Sequence, residues 1–239
     1  MNVLIIKTNK DTLHDYEFVT PVITIIKQII KHNQELLGIV NYHTKHYSRI
    51  NSKIKNGDID WADKVIITGT ALMDYEYLNN DSLTRMKNIL ERIDKLNKPV
   101  LGICSGMHLI AGYYMRYYTT ESYNNLLINA SEIGVEEIVV KEEILGLKPG
   151  TTRVFQLHNK SLNYDLIRED FDVLAITEYN NHTKHEKNDI HNKYDNINNI
   201  IIPQIIRPRE NKSVVGVQFH PEVLNKELIL RFLFTHSHI

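Results

Sequence analysis

The apolar residues of this chain follow two patterns: short continuous runs, and longer stretches with helical spacing. The runs predict buried strands, and the spaced stretches predict amphipathic helices. In the first half of the chain, the strands are predicted at Val3–Lys7, Leu36–Val40, Lys64–Thr68 and Pro99–Ile103, and the helices at Val22–Ile30, Asp81–Leu96 and Cys104–Tyr114. Because strands alternate with helices, this half predicts an α/β fold with a mainly parallel, doubly wound sheet.

The pattern changes beyond residue 130, where strand signals follow one another with little helix between them. The predicted strands are Glu137–Lys141, Arg153–Leu157, Val173–Thr177, Ile200–Gln204 and Ser213–Phe219, and a helix at Glu227–Phe234 closes the chain. These strands predict a smaller antiparallel or mixed extension of the sheet. Residues 180–199 are rich in Asn, His and Lys, and we interpret them as a solvated insertion, either a long hairpin or a partly disordered loop.

Length and charge limit the class of protein. The 239 residues fit one α/β domain, which we predict to span residues 1–239. The 28 basic and 29 acidic side chains leave a net charge of -1, so nucleic acid is not expected as the main ligand. No run of about 18 apolar residues predicts a membrane span, and the apolar N-terminal run indicates a strand, not a signal peptide. We therefore expect a cytoplasmic protein with no membrane partner.

A repeated tetrapeptide raises the question of a metal site. His-Thr-Lys-His occurs at His43–His46 and again at His182–His185, and two histidines from each segment could complete a tetrahedron. No acidic residue or thiol has a matching ligand spacing, and chance repetition in a chain with 12 histidines accounts for the pattern. We therefore predict no metal and no cofactor.

The only cysteine of the chain, Cys104, lies between a predicted buried strand and a predicted helix. Gly102-x-Cys104-x-Gly106 is the pattern of a nucleophile elbow with cysteine in place of serine. Side chains at the two glycines would crowd the adjoining strand and helix. The helix N-terminus would favour the thiolate over the thiol. The alternative interpretation is a small buried cysteine at the end of a strand.

A second segment, Gly-Val-Gln-Phe-His-Pro-Glu at residues 216–222, favours the catalytic interpretation. A cysteine nucleophile needs a base to take its proton, and the base needs a third group that fixes its tautomer. His220 and Glu222 are two residues apart, so on an extended strand they would face the same way. Pro221 would hold that backbone extended. The two segments together predict that Cys104, His220 and Glu222 form a triad.

These segments resemble the motifs of the class I glutamine amidotransferases, which use a Cys-His-Glu triad. The likeness runs from Val3 to about Phe234, and the second segment is close to the GMP synthase version of the motif. The resemblance implies a flavodoxin-like fold with a smaller antiparallel part, in agreement with the strand and helix pattern. It also implies that Cys104 is the nucleophile, His220 the general base and Glu222 the group that orients it.

The resemblance further implies where the oxyanion of an attacked amide is bound. The donors would be the backbone N–H of Ser105 and an N–H of a loop that is Gly-Gly-Pro in the family. That loop reads Gly69-Thr70-Ala71 in this sequence, so it departs from the pattern. Backbone donors survive the change, provided that Thr70 holds the required dihedral angles.

A larger departure lies at residue 108. The family usually has a glutamine there, in contact with the substrate, whereas this chain has His108. An imidazole cannot copy the paired hydrogen-bond geometry of an amide, so His108 predicts either a changed substrate preference or a packing role. The segment Gln156-Leu-His158-Asn159 resembles the family's stretch that holds the α-amino and α-carboxylate groups, which makes His158 and Asn159 candidate substrate-binding residues.

Three functions remain open at this point. The first is a glutaminase that supplies ammonia to a separate ATP-dependent synthetase chain, for which GMP synthetase is the nearest named candidate. The sequence has no G-x-x-x-x-G-K-[ST] loop to activate an acceptor, and Leu-Asn-Lys follows Val223 where GMP synthases usually have His-Thr. The second is a stand-alone hydrolase or transferase of γ-glutamyl peptides or amines, which His108 and the altered loop favour. The third is a non-catalytic binding module on the same fold, which an intact triad disfavours.

Overall fold

The computed structural model describes residues 1–10, 12–32, 40–180 and 199–234, and the strands in these ranges form one mixed sheet. The strands are β1 (Asn2–Lys7), β2 (Asn41–His46), β3 (Lys64–Ile67), β4 (Val100–Ile103), β5 (Leu127–Val140), β6 (Gly150–Leu162), β7 (Phe171–Asn180), β8 (Asn199–Pro208) and β9 (Val214–Val217). Their order is β2-β1-β3-β4-β9-β8-β7-β5-β6. The first five strands in this order pair in parallel, and every later pairing is antiparallel. The predicted doubly wound sheet with an antiparallel extension is therefore confirmed.

Helices cover both faces of the parallel part. They are α1 (Asp15–Phe18), α2 (Thr20–His32), α3 (Asp58–Trp61), α4 (Asn80–Lys95), α5 (Ser105–Tyr114), α6 (Thr120–Leu126), α7 (Tyr164–Ile167) and α8 (Lys226–Phe234). Side chains of α4, α5 and α6 pack in a core with Leu4 and Ile6, whereas side chains of α2 and α8 pack with Val3 and Ile5. Because successive strand residues point to opposite faces, the single apolar run in β1 supplies both cores.

Helix α4 shows how the sequence determines its elements. The Asn79 side chain accepts a hydrogen bond from the Ser82 N–H at 2.8 Å and so caps the helix N-terminus. The buried positions recur at helical spacing, at Leu83, Met86, Leu90 and Ile93. Burial of each such side chain stabilises the fold by about 1.5–3 kcal/mol.

The largest difference from the predicted elements concerns β5 and β6. The expected strand Glu137–Lys141 covers only the end of β5, which begins at Leu127. Buried and exposed residues alternate along much of β5, and its register with β6 shifts between Asn129 and Glu132. A half-exposed strand with an irregular register lacks the continuous apolar run that predicts the other strands.

Two predicted segments lie largely outside the described residues. Of the strand predicted at Leu36–Val40, the structure describes only Val40, and the second strand found is β2, the polar edge strand. Of the insertion predicted at 180–199, the structure describes only the end residues, where β7 ends and β8 begins. In the part of the chain that is described, no helix is long and apolar enough to span a bilayer.

Candidate active site

Cys104 occupies the sharp turn between β4 and α5. Its backbone has φ 52° and ψ -108°, a conformation that residues with side chains rarely adopt, and its N–H donates to the Val217 carbonyl at 2.7 Å. A Cβ atom on Gly102 would lie 2.7 Å from the Gly106 carbonyl carbon, and one on Gly106 would lie 2.5 Å from the Ile67 carbonyl oxygen. The predicted reason for the two glycines, crowding between strand and helix, is confirmed.

The sulfur of Cys104 is buried and faces hydrogen-bond donors. Ser105 and Gly106 open α5, where N–H groups have no partner within the helix and the helix dipole favours an anion. The Gln218 side chain donates to the sulfur from Nε2 at 3.8 Å. The sulfur therefore lies near the positive end of the helix, with one side-chain donor directed at it.

His220 and Glu222 form a buried pair just after β9. Nδ1 of His220 donates to Oε1 of Glu222 at 2.8 Å, so the two side chains meet. The predicted extended backbone at Pro221 is wrong, because Pro221 and Glu222 lie in a turn closed by the Val223 N–H and the His220 carbonyl at 3.1 Å. The backbone N–H of His220 donates to the Phe155 carbonyl at 2.8 Å, which joins this segment to β6. The ring of Phe18 lies against the imidazole, with the ring centroids 5.4 Å apart. The imidazole is therefore held on three sides.

Gly69, in the loop after β3, lies where Cys104 and His220 approach each other. A Cβ atom on Gly69 would lie 2.9 Å from Cε1 of His220 and 3.4 Å from Cβ of Cys104. A side chain at this position would push the imidazole away, so the approach requires glycine. Within the described chain, Nε2 of His220 makes no hydrogen bond. The structure thus brings thiol, imidazole and carboxylate to one place and leaves one ring nitrogen available.

The surroundings of His220 favour its charged form. Burial by itself would lower the pKa of His220, but the Glu222 carboxylate and then Cys104 outweigh burial and raise this pKa above its ordinary value. A histidine paired with a carboxylate beside a cysteine at a helix N-terminus is an arrangement in which the histidine can exchange protons for a nucleophilic sulfur.

The predicted oxyanion donors lie around Cys104. The hydroxyl of Ser105 lies 3.1 Å from that of Thr8 and donates to the Thr68 carbonyl at 3.3 Å. The backbone N–H of Ser105 lies at the first position of α5. Thr70 is not among the positive-φ residues, and its hydroxyl donates to Asp74 at 2.9 Å. Binding of an oxyanion by Ser105, Gly69 and Thr70 stays a prediction.

His108 lies on α5 with both ring nitrogens in hydrogen bonds to the protein. Nδ1 lies 3.2 Å from the Tyr77 hydroxyl, and Nε2 lies 3.0 Å from Oε1 of Gln218. Burial lowers the pKa of His108 to about 4, so the ring is neutral at physiological pH. Direct contact between His108 and the substrate stays a prediction, and the observed contacts favour a role within the protein.

His158, on β6, is also fully engaged. Its Nε2 lies 2.8 Å from Oε2 of Glu132, and its Nδ1 lies 3.1 Å from the Ala130 carbonyl oxygen. Both neighbours are hydrogen-bond acceptors. His158 lines the cavity beside Cys104, but both of its ring nitrogens are directed at protein atoms, so its binding to a substrate stays a prediction.

A small, partly open cavity lies between Cys104 and the loop of residues 70–75. Its volume is about 20 Å³, which is room for one water molecule. Asn159 holds the loop, because its Nδ2 donates to the Leu72 carbonyl at 3.0 Å and to the Tyr75 hydroxyl at 2.7 Å. An open groove of about 950 Å³ borders the same loop. The cavity beside Cys104 is thus much smaller than the groove on the other side of the loop.

Four residues of this site are not predicted from the sequence, namely Gln218, Tyr77, Phe18 and Glu132. A polar side chain inside the apolar end of β9 is an available signal for Gln218. The other three reach the site through tertiary contacts and carry no local pattern that would single them out.

The described half of the repeated tetrapeptide has ordinary structural contacts. His43 stacks on Trp61 with ring centroids 4.1 Å apart, and His46 accepts from the Ser48 N–H at 3.3 Å. The second copy, His182–His185, lies outside the described residues. Within the described ranges, no cluster of three or more His, Cys, Asp and Glu side chains has the arrangement of a metal site.

The fold and the site define an α/β protein with a buried cysteine at a strand–helix elbow beside a carboxylate-paired histidine. The family model for glutamine amidotransferase class-I matches residues 18–237 of the chain. The chain therefore belongs to the class I glutamine amidotransferase family, as its two motifs predicted.

Individual relatives agree with this family. The glutamine-hydrolyzing GMP synthase subunit of Methanothermobacter thermautotrophicus is 28% identical over 202 residues, which are 79% of this chain and 89% of the relative. A Thermoplasma acidophilum protein described as a GMP synthase subunit has a similar structure, with a TM-score of 0.60, 18% identity, and coverage of 98% of this chain and 92% of that one. The glutaminase domain of Trypanosoma brucei CTPS, solved with bound acivicin, has a TM-score of 0.62, 13% identity and the same two coverages. At these identities the two structures show a shared fold.

Proposed function

We propose that this protein hydrolyses glutamine through a thioester on Cys104 and supplies the ammonia to a separate synthetase subunit. The observation that carries the proposal is the free Nε2 of a buried, carboxylate-paired His220 next to the cysteine of the elbow. Membership of the class I family supports glutamine as the substrate.

The chemistry follows from the positions of these groups. The Cys104 thiolate attacks the side-chain amide carbon of glutamine, and backbone N–H groups at Ser105 and in the Gly69 loop stabilise the oxyanion. His220 gives its Nε2 proton to the amide nitrogen, which leaves as ammonia, and a γ-glutamyl thioester remains. His220 then takes a proton from water, the resulting hydroxide attacks the thioester, and glutamate leaves. Glu222 stabilises the imidazolium that is present before the first proton transfer and again after the second.

The proposed partner is an ATP-dependent synthetase, with GMP synthetase as the first candidate. The relative that is 28% identical is named as one subunit of GMP synthase, which describes one part of an enzyme with at least one further chain. The absence of a phosphate-binding glycine loop from the sequence agrees with an acceptor that is activated on another chain. Co-purification from the source organism, read by mass spectrometry, tests this step, and we expect an amide-forming ATP-dependent synthetase in the complex.

The hydrolytic activity is tested by measuring glutamate and ammonia release from glutamine, with a γ-glutamyl amine as the competing substrate. We expect wild-type protein to hydrolyse glutamine and Cys104→Ser to lose the activity. Turnover that survives in Cys104→Ser would refute the proposal. A higher kcat/KM for the γ-glutamyl amine, with full activity in the absence of any partner, would instead identify a stand-alone γ-glutamyl hydrolase.

A further inference from the structure

A chain of hydrogen bonds leads from Tyr77 to the sulfur of Cys104. The Tyr77 hydroxyl lies 3.2 Å from Nδ1 of His108, and Nε2 of His108 lies 3.0 Å from Oε1 of Gln218. The last link is the 3.8 Å contact from Nε2 of Gln218 to the sulfur. All four residues are buried, so these links lie in a low-dielectric environment.

The sulfur at the end of this series of hydrogen bonds determines which atom donates in each of them. A negatively charged sulfur accepts hydrogen bonds, so the NH₂ group of Gln218 faces Cys104 and its oxygen faces His108. His108 must then donate from Nε2, which leaves Nδ1 as the acceptor for the Tyr77 hydroxyl. One tautomer of the ring and one orientation of the amide satisfy all three links.

The ring of His108 is neutral at physiological pH, so Nδ1 is the acceptor for Tyr77. Burial lowers the pKa of His108 to about 4, and the charges of His158 and Lys160 on β6 act in the same direction. The Gln218 hydrogen bond opposes this shift but is weaker. A protonated ring would instead donate to the Tyr77 hydroxyl oxygen, while Nε2 would still donate to Gln218.

We propose that His108 and Tyr77 are positioning residues that hold the Gln218 carboxamide with its N–H directed at the Cys104 thiolate. Neither residue touches the reacting atoms, because both act through Gln218. This inference rests on the proposed function, in which Cys104 is the nucleophile. It gives His108, which stands where the family usually has a glutamine, the role of orienting Gln218 and not of binding the substrate.

Other titratable groups also face Cys104 and influence its reactivity with pH. His220 and Glu222 approach from the segment after β9, and Tyr77 approaches from the turn before α4. A variant that tests the chain of bonds must therefore leave His220 and Glu222 unchanged. Tyr77→Phe meets this condition, because it removes one hydroxyl and retains the ring.

The test is the pH profile of alkylation by iodoacetamide, measured on the full chain. Cys104 is the only cysteine, so the rate reports one sulfur. In Tyr77→Phe the tautomer of His108 is no longer fixed, and Gln218 is free to turn its oxygen toward the sulfur. We expect the midpoint of the profile to rise by about one pH unit, which is roughly tenfold slower alkylation below the midpoint.

Variants of His108 separate positioning from packing. His108→Leu keeps the volume but removes both hydrogen bonds, and we expect a rise at least as large as for Tyr77→Phe. His108→Gln can donate and accept along the same line, so its midpoint should return to within about 0.3 unit of wild type. If His108→Leu does not fold, Tyr77→Phe and His108→Gln decide the question.

Tyr123→Phe is the matched control. Tyr123 is equally buried, and its hydroxyl donates to the Leu109 carbonyl at 3.4 Å, outside this chain of bonds. We expect no shift in this variant. A midpoint for Tyr77→Phe that coincides with that of Tyr123→Phe would overturn the inference, as would a His108→Gln profile shifted as far as the other variants.

Alkylation requires no glutamine, so the two proposals fail separately. Shifted midpoints together with no glutamine hydrolysis by wild-type protein would refute the proposed function and support the chain of bonds. Glutamine hydrolysis together with unshifted midpoints would refute the chain of bonds alone.

Discussion

Two buried His–Glu pairs lie in this molecule, one at the end of the parallel strands and one in the antiparallel part. In each pair a ring nitrogen lies 2.8 Å from a carboxylate oxygen, and in each the histidine and glutamate side chains are 2% and 0% exposed. The pairs are His220–Glu222 and His158–Glu132. Their near-identical pair geometry makes the differences around them informative.

The pair in the antiparallel part has its hydrogen bonds satisfied. Besides His158, the Glu132 carboxylate accepts from the Tyr179 hydroxyl at 2.6 Å and from Gln204 at 2.7 Å, and the second nitrogen of His158 faces a carbonyl oxygen. At the candidate active site, by contrast, Nε2 of His220 and Oε2 of Glu222 have no hydrogen-bond partner among the described residues.

On the basis of this difference we propose that one pair serves structure and the other serves chemistry. A buried polar atom without a partner costs about 1–3 kcal/mol. In the proposed reaction, the free nitrogen of His220 gives up a proton and takes one back. The saturated pair has no atom left to react, and it fastens β5 to the neighbouring strands.

Loss of the reactive imidazole should give the largest effect. We expect His220→Asn to lower kcat for glutamine hydrolysis by about 10⁴-fold or more, because the members of a triad act as a unit. His43→Asn is the matched control, since His43 stacks on Trp61 away from the site. A loss below about threefold in His220→Asn would show that its free nitrogen takes no part in the reaction.

Loss of the structural carboxylate should mainly affect stability. Glu132→Gln leaves the buried His158 without its counter-charge, and we expect a loss of about 3 kcal/mol in the free energy of unfolding. For a domain of this size that is a fall in Tm of about 6–12 °C, measured by thermal denaturation. Glu137→Gln, at an exposed position on the same strand, should cost less than about 0.5 kcal/mol. Equal effects in the two variants would contradict a structural role for the pair.

Loss of the charge on the site carboxylate should have an intermediate effect on rate. Glu222→Gln can still hold the ring of His220 but no longer stabilises the imidazolium. We expect kcat to fall by about 10²-fold, or about 2.7 kcal/mol, which is less than in His220→Asn. A loss as large as that of His220→Asn would mean that Glu222 is required to fix the tautomer of the ring.

The smallest effect concerns the pH dependence of stability. Burial opposes ionisation of Glu132, but the bonds from His158, Tyr179 and Gln204 prevail and lower the pKa of Glu132 below its ordinary value. A carboxyl with a lowered pKa stabilises the fold above its unfolded-state pKa, about 4.3, and this stabilisation is lost as the pH falls through the folded-state pKa. The stability difference between wild type and Glu132→Gln should therefore be constant from pH 8 to about 5 and shrink below about 4. A difference that grows on acidification would contradict this assignment.

The sequence predicts the parts of the site that depend on local geometry. Gly102 and Gly106 are expected beside Cys104 because a strand that turns directly into a helix leaves no space for their side chains. The pairing of His220 with Glu222 is expected from an extended backbone, but the structure achieves it through a turn in which the Val223 N–H donates to the His220 carbonyl at 3.1 Å. Strands β1, β3 and β4 are equally predictable from the sequence, because strands covered on both faces are apolar throughout.

The remaining contacts depend on register and on distant pairings. Glu132 reaches His158 directly across β5 and β6 only because the register shifts between Asn129 and Glu132. His108 and Gln218 are 110 residues apart, and their contact requires α5 and the end of β9 to lie side by side. No periodicity within a single segment encodes such contacts, so the sequence alone does not reveal that His108 bonds to Gln218.

The most direct test of a reactive Cys104–His220 pair is intact-protein mass spectrometry after reaction with a glutamine-analogue electrophile such as a diazo-ketone. Wild type and Glu132→Gln below its Tm should each gain one adduct, located on Cys104 by peptide mapping. Cys104→Ser should gain none, and His220→Asn should react at least about 10²-fold more slowly. An adduct in Cys104→Ser, or labelling of His220→Asn at the wild-type rate, would contradict the account.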